Sequence, residues 1–335
     1  MLRKVTAVLS QYPDDCQPTS IQSLGNAGGF SGAQLWKLQT PRGELCLRRW
    51  PAEHPSIKRL SYIHTVASYA VLQGHPCIPA PISTKDEPSI AFCSDHRLWE
   101  LTPWMPGKPL LAPNATSREQ QPKLLRAALR SVAEFHKWTG DERVGLVQVG
   151  RPSSLKHRAR FANELLNGEL DLFRESLSNF SSPYCQDLET ICHLASPHLE
   201  KTRSLVEDAK GRDFRMQPCL GDIWYEHVLF TDDEVTGIVD LGAMRRDTVA
   251  SDLARLIGSV CHHIDDAWRI GLDAYSEIRT LTTEETAAIS IFRDSAIVLS
   301  GFQWIRWLAL ERRTFENSDG VAGRLAAIIA TLKNS

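Results

Sequence analysis

No charge of either sign dominates this chain: 38 Lys and Arg stand against 40 Asp and Glu, a net charge of −2 over 335 residues. That balance removes the global basic field on which binding to nucleic acid or an anionic membrane rests, so neither is expected as a partner. An anionic ligand must be gripped by a local group of side chains. Paired cysteines are missing too. The eight cysteines are too sparse for a disulfide scaffold, and none forms a C-x-x-C pair. Cys261, His262 and His263 are adjacent, a spacing that cannot aim all three at one metal without further ligands, so zinc is not expected. Long apolar runs are absent. The opening Met1-Leu2-Arg3-Lys4 starts like a leader, but its apolar stretch fails at Ser10-Gln11-Tyr12-Pro13. The later stretch around Ala296 to Leu299 falls far short of a membrane span. A cytoplasmic protein with reduced thiols is the expectation.

Hydrophobic residues make up 42% and charged residues 23%, the composition of a globular protein able to close a sizeable core. Length suggests two domains or one two-lobed unit. The first hundred residues read mostly as short strands. Ile21 to Gly25 leads into Asn26-Ala27-Gly28-Gly29-Phe30-Ser31-Gly32, and Pro41-Arg42-Gly43 turns the chain into Leu45 to Trp50, an antiparallel meander. Leu60, Ile63, Val66 or Ala67, and Ala70 then predict a helix from about Ser56 to Gln73. A second hairpin is expected from Ile90–Cys93 and Leu98–Leu101. Pro103, Pro106, Gly107 and Pro109 punctuate a linker, after which helices prevail, as at Leu125–Phe135 and Ala287–Leu310. A strand pair near Val228–Phe230 and Thr236–Asp240 interrupts them. The expected fold is α+β, a small antiparallel β-rich lobe (1–103) hinged to a larger, mainly helical lobe (104–335).

The chemistry concentrates in Leu220-Gly221-Asp222-Ile223-Trp224-Tyr225-Glu226-His227-Val228-Leu229-Phe230, followed by Gly237-Ile238-Val239-Asp240-Leu241. A loop Asp, a metal-directed group five residues on, an apolar strand, a turn and a second Asp make a phosphoryl-transfer layout. The first Asp accepts a hydroxyl proton, and the other two groups hold cations that neutralise phosphate charge. A hairpin lets both metal-directed groups face one point.

Here the sequence resembles the aminoglycoside phosphotransferase/choline kinase-like family, whose catalytic loop reads H-G-D-x-x-x-x-N. Gly28-Gly29-Phe30-Ser31 resembles its nucleotide loop, Leu47-Arg48-Arg49 its strand-borne L-K or L-R, Trp104-Met105-Pro106-Gly107 its hinge, and Ser251-Asp252-Leu253-Ala254 its D-L-A element. The resemblance runs in order from about Gly25 to Gly258. It implies a protein-kinase-like fold and an ATP-dependent phosphotransferase using Mg²⁺ or Mn²⁺ on a small hydroxylated substrate. It further implies nucleotide binding in 1–103 and catalysis with substrate binding in 104–335. Gly28, Gly29, Ser31 and Arg48 would hold phosphates, adenine would lie against backbone near Leu101 to Trp104, Asp240 and His227 would hold metal, and Asp222 would act as base. The chain departs from the pattern at four places. Leu220 replaces the loop His, His227 the metal-binding Asn, Arg48 the strand Lys, and His64 stands near the position of the helix Glu.

Each assignment has a structural counterpart. Gly28-Gly29 with Gly32 suits a hairpin turn. Arg49 replaces Arg48 as the inward residue if the register slips by one. Asp222 suits a turn, and His227 a structural histidine beside an apolar strand. Asp252 is read as a brace for the loop rather than a substrate contact. The alternative to an active kinase is a catalytically degenerate nucleotide-binding or scaffolding pseudokinase. The acceptor and the oligomeric state have no legible motif.

Overall fold

The computed structural model describes residues 2–26, 32–53, 55–315 and 317–333. Helix α1 (Leu2–Leu9) precedes strands β1 (Ser20–Gly25), β2 (Gln34–Thr40) and β3 (Gly43–Arg49). Helix α2 (Ile57–Leu72), strands β4 (Ala91–Phe92) and β5 (Leu98–Pro103), and helix α3 (Gln121–Thr139) follow. Next come β6 (Gln148–Gly150), α4 (Ser153–Glu164), α5 (Leu170–Ser178), α6 (Cys185–Ala195), α7 (Leu199–Lys210) and β7 (Phe214–Cys219). The hairpin β8 (Val228–Thr231) and β9 (Glu234–Ile238) leads to β10 (Arg245–Asp247), α8 (Ala250–Val260), α9 (Ala267–Ser276), α10 (Thr283–Ile305) and α11 (Ser318–Lys333). The chain packs as two compact units, Met1–Thr139 with Tyr225–Arg245, and Gly140–Trp224 with Arg246–Ser335. No described helix is long and apolar enough to cross a membrane.

The first unit is built on a five-stranded antiparallel sheet in the order β1-β2-β3-β5-β4. Strand alternation divides its side chains between two faces. Leu45 and Leu47 of β3, with Trp99 and Leu101 of β5, join Trp36 and Leu38 in one core cluster. Helix α1 closes that cluster with Val5, Val8 and Leu9. Its few apolar residues are spaced along one side of the helix to cover a sheet. Trp50, Leu60 of α2, Ile90 and Leu98 form a second cluster. Helix α2 starts and stops where local signals place it. The Ser56 hydroxyl accepts from the Arg59 amide as N-cap, and Leu60, Ile63, Val66, Ala67 and Ala70 are buried.

The segment after β5 is no free linker. Lys108 and Phe230 exchange backbone hydrogen bonds of 2.9 and 2.8 Å, and the Thr236 hydroxyl donates to the Pro106 carbonyl at 2.8 Å. Strand β9 ends at Ile238, so Asp240 lies just past the strand rather than in it, with φ 60° and ψ 61°. Asp tolerates this left-handed geometry better than most residues do.

In the second unit the helices gather around a small sheet, β10-β7-β6. Helix α10 begins at a capping box in which Thr282 and Glu285 satisfy each other's backbone amides. Arg279 clamps the buried Glu285 through two bonds of 2.9 and 2.6 Å.

Candidate active site

Strand pairing in the first unit sets Arg48 of β3 directly opposite Glu100 of β5. Their neighbours Leu47 and Leu101 point into the α1-side core, so Arg48 and Glu100 share the other face of the sheet. There the Arg48 Nη1 donates to Asp240 Oδ1 at 3.0 Å, and its Nε stands 3.6 Å from Glu100 Oε1. The guanidinium also lies 4.7 Å from the centre of the Trp50 ring. Arg49 takes the opposite face, with Asp95 at 2.9 Å and Gln34 at 3.0 Å. The register therefore presents Arg48, not Arg49, to Asp240.

His227, ending a short helical turn at Tyr225–His227, brings Nε2 to 3.7 Å from Asp240 Oδ2. Its carbonyl accepts from the Val239 amide at 2.9 Å, which ties the two sides of the hairpin together. Burial works against the charged form of Asp240, but the Arg48 guanidinium and His227, with the Gly242 amide, outweigh it and hold the carboxyl below its usual range. Arg48 is largely covered, its side chain 16% exposed. Asp240 and Glu100 more than offset that penalty and keep it firmly charged. The result is a fixed cation beside a fixed carboxylate that is 40% exposed. One carboxylate oxygen and one imidazole nitrogen facing across 3.7 Å suit a divalent cation in kind.

Asp222 belongs to the second unit, in the loop that leaves β7. Asp252, 1% exposed on α8, accepts from the Leu220 amide at 2.6 Å and the Gly221 amide at 2.8 Å. A buried carboxylate taking two backbone amides fixes the loop, the bracing role expected of it. Gly221 makes the turn at φ 81°, and Asp222 emerges half-exposed with its Oδ1 on the Arg255 guanidinium. Leu220 is buried, and Arg324 covers the ring of Trp224.

Leu101 is fully buried among the core residues on the α1 side, and its carbonyl accepts from the Ile82 amide at 2.8 Å. Its side chain belongs to that core and turns away from Arg48. Gly28, Gly29 and Ser31 lie outside the described residues. Sequence reasoning missed Glu100 altogether. Its partnership with Arg48 joins strands separated by α2, and no local spacing announces it.

The chain matches the phosphotransferase enzyme family (APH) over residues 24–288, most of its length, and belongs to that family. A homoserine kinase of Granulibacter bethesdensis is 32% identical over 103 residues, which cover 29% of this chain. The match spans only about a third (32%) of that relative's length. Among solved structures, the spectinomycin phosphotransferase APH(9)-Ia, in complex with ADP and spectinomycin, superimposes with a TM-score of 0.64 at 15% identity. It covers 99% of this chain and 93% of its own. The amicoumacin kinase hAmiN, in complex with AMP-PNP, Ca²⁺ and Ami, gives 0.64 at 13%, covering 98% and 92%. An aminoglycoside phosphotransferase from Alicyclobacillus acidocaldarius gives 0.61 at 15%, covering 98% and 95%. These likenesses establish the protein-kinase-like α+β fold.

Proposed function

We propose that the protein is an ATP-dependent kinase of a small hydroxylated molecule. The observation that carries this reading is the group formed by Arg48, Asp240 and His227, a phosphate-directed cation beside a cation-directed pair. Residues 1–103 supply the nucleotide-binding side and residues 104–335 the catalytic and substrate-binding side. Arg48 and the Gly28-Gly29 and Ser31 loop hold phosphates, Arg48 through the fork geometry that suits phosphate oxygens. Asp240 and His227 hold a divalent cation, Mg²⁺ or Mn²⁺, which would neutralise phosphate charge. Asp222, its carboxylate set by Arg255, orients the acceptor hydroxyl and takes its proton. The acceptor oxygen bonds to the γ-phosphorus, the bond to the β–γ bridging oxygen breaks, and ADP leaves. Positioning and charge neutralisation supply most of the rate. The nucleotides and Ca²⁺ named with the solved neighbours support this choice of cofactors. Homoserine, spectinomycin and amicoumacin, named with the relatives, mark the range of acceptors to screen. All eight cysteines are free thiols, which supports a cytoplasmic site of action.

ADP release with a panel of hydroxylated metabolites, beside nucleotide affinity, tests the division of roles. Asp222→Asn should cut turnover about 10²–10⁴-fold and spare nucleotide binding, since the amide cannot accept the proton. Asp240→Asn should weaken binding of the metal–nucleotide complex. Equal loss of nucleotide affinity in both variants would overturn the assignment, and a wild-type chain that neither binds nucleotide nor releases ADP would be a scaffold.

A further inference from the structure

Behind Arg48 stands a buried chain of polar groups that the phosphotransfer layout does not use. Glu100 is 7% exposed and His64 4% exposed. His64, on the inner face of α2, has Nε2 2.7 Å from Glu100 Oε2 and Nδ1 2.7 Å from the Ser89 hydroxyl. A carboxylate only accepts, so Nε2 carries the proton and donates to Glu100, and in the neutral ring the Ser89 hydroxyl donates to Nδ1. Both nitrogens are satisfied, which fixes the imidazole plane and, through it, the Glu100 rotamer. Glu100 then presents its other oxygen to Arg48 Nε at 3.6 Å.

Arg48 thus has two anionic partners with different prospects. Asp240 is 40% exposed and is the carboxylate a cation would claim, whereas Glu100 is sealed in and engaged from behind. A divalent ion on Asp240 competes with the guanidinium for the same charge, and a long Arg side chain released at that end would gain rotamer freedom. Among the described residues, Glu100 and the Trp50 ring then remain to hold it. We propose that Glu100 and His64 are positioning residues, which keep the Arg48 guanidinium aimed at nucleotide phosphates once a cation takes Asp240. The proposal rests on the kinase reading, and it places the anchor of Arg48 on β5, with α2 acting one bond further back.

The test is calorimetric affinity for ATP with saturating Mn²⁺ and, separately, for adenosine, which lacks the phosphates Arg48 would hold. Arg48→Met should lower the ATP-to-adenosine preference about 10–100-fold, the worth of a hydrogen bond to a charged group. His64→Leu should lower the same ratio about tenfold with adenosine affinity kept. His64→Gln can still donate to Glu100 and accept from Ser89, and should recover the ratio to within about threefold. Glu100→Gln keeps the shape without the charge and serves if His64→Leu fails to fold. It should also lower the ratio. An unchanged ratio in His64→Leu and Glu100→Gln beside a reduced one in Arg48→Met overturns the positioning role and leaves the kinase reading standing. Parallel loss of ATP and adenosine affinity in the His64 and Glu100 variants would show a merely structural role. No effect in Arg48→Met overturns both.

Discussion

His75 shows what burial does to a single titratable side chain. It is 2% exposed, its ring tilted against Phe135 with centroids 6.3 Å apart, and its Nε2 is buried and unpaired among the described residues. Desolvation is the main cause that pushes its pKa down from 6.5 to about 4. The Ser131 backbone opposes this in part, and His136 adds to it. Between those two values the unfolded chain binds the proton that the folded one refuses. Stability therefore rises with pH there, and the contribution of neutral His75 is complete above about 6.5 and lost as pH falls toward 4. From pH 7.5 to 5 this amounts to about 2 kcal/mol. His75→Leu removes the titration, so urea unfolding at the two pH values should show wild type losing about 2 kcal/mol more than the variant. Equal losses would sink the assignment. At this scale the sequence singled out Asp222, Asp240, His227 and Asp252, because motif spacing is local. The choice between Arg48 and Arg49 needed the register of β3 against β5, and the burial of Leu101 needed to know which face α1 covers.

Elements were legible where their signals are local. Helix α2 carries its own cap and its own period, and lies within a residue of the expected limits. The hairpins announce themselves through their turns. Helix α1 escaped because eight residues give too few repeats for a helical period to stand out. The Pro-rich segment after β5 escaped because its partner strand lies over a hundred residues away. Gly107 is the pivot of that pairing. Its φ is 103°, and a Cβ placed on it would stand 2.6 Å from both the Phe230 carbonyl oxygen and the Thr236 hydroxyl. Backbone cannot yield there without breaking the Lys108–Phe230 pair. Gly107→Ala should cost about 2–4 kcal/mol, from left-handed strain and from parting the two segments. Denaturant midpoints check this. A loss below about 0.5 kcal/mol would mean that the segment repacks freely.

At the scale of the molecule, the first unit is discontinuous in sequence. Tyr225–Arg245 packs with Met1–Thr139, though 85 residues of the second unit intervene (224 − 139). In the sequence, helical periodicity takes over near residue 103, and periodicity is blind to which helices pack with which sheet. What Tyr225–Arg245 contributes can be stated residue by residue. Val228, Phe230 and Ile238 are 0%, 2% and 1% exposed, the Ile238 amide donates to the Cys77 carbonyl at 2.7 Å, and Asp240 answers the charge of Arg48. A fragment ending at Thr139 loses all of these at once and bares the surfaces they cover. Burying one large apolar side chain is worth about 1.5–3 kcal/mol, and a whole domain is stable by only about 5–15 kcal/mol, so the deficit is decisive. Residues 1–139 expressed alone should show no cooperative urea transition and weak near-ultraviolet circular dichroism. The same residues joined to 225–245 through a flexible Gly/Ser linker should recover both, because the missing strands are then supplied at high effective concentration. A sharp transition in the shorter fragment, with the same midpoint as the fusion, would show that the hairpin decorates a unit already complete without it.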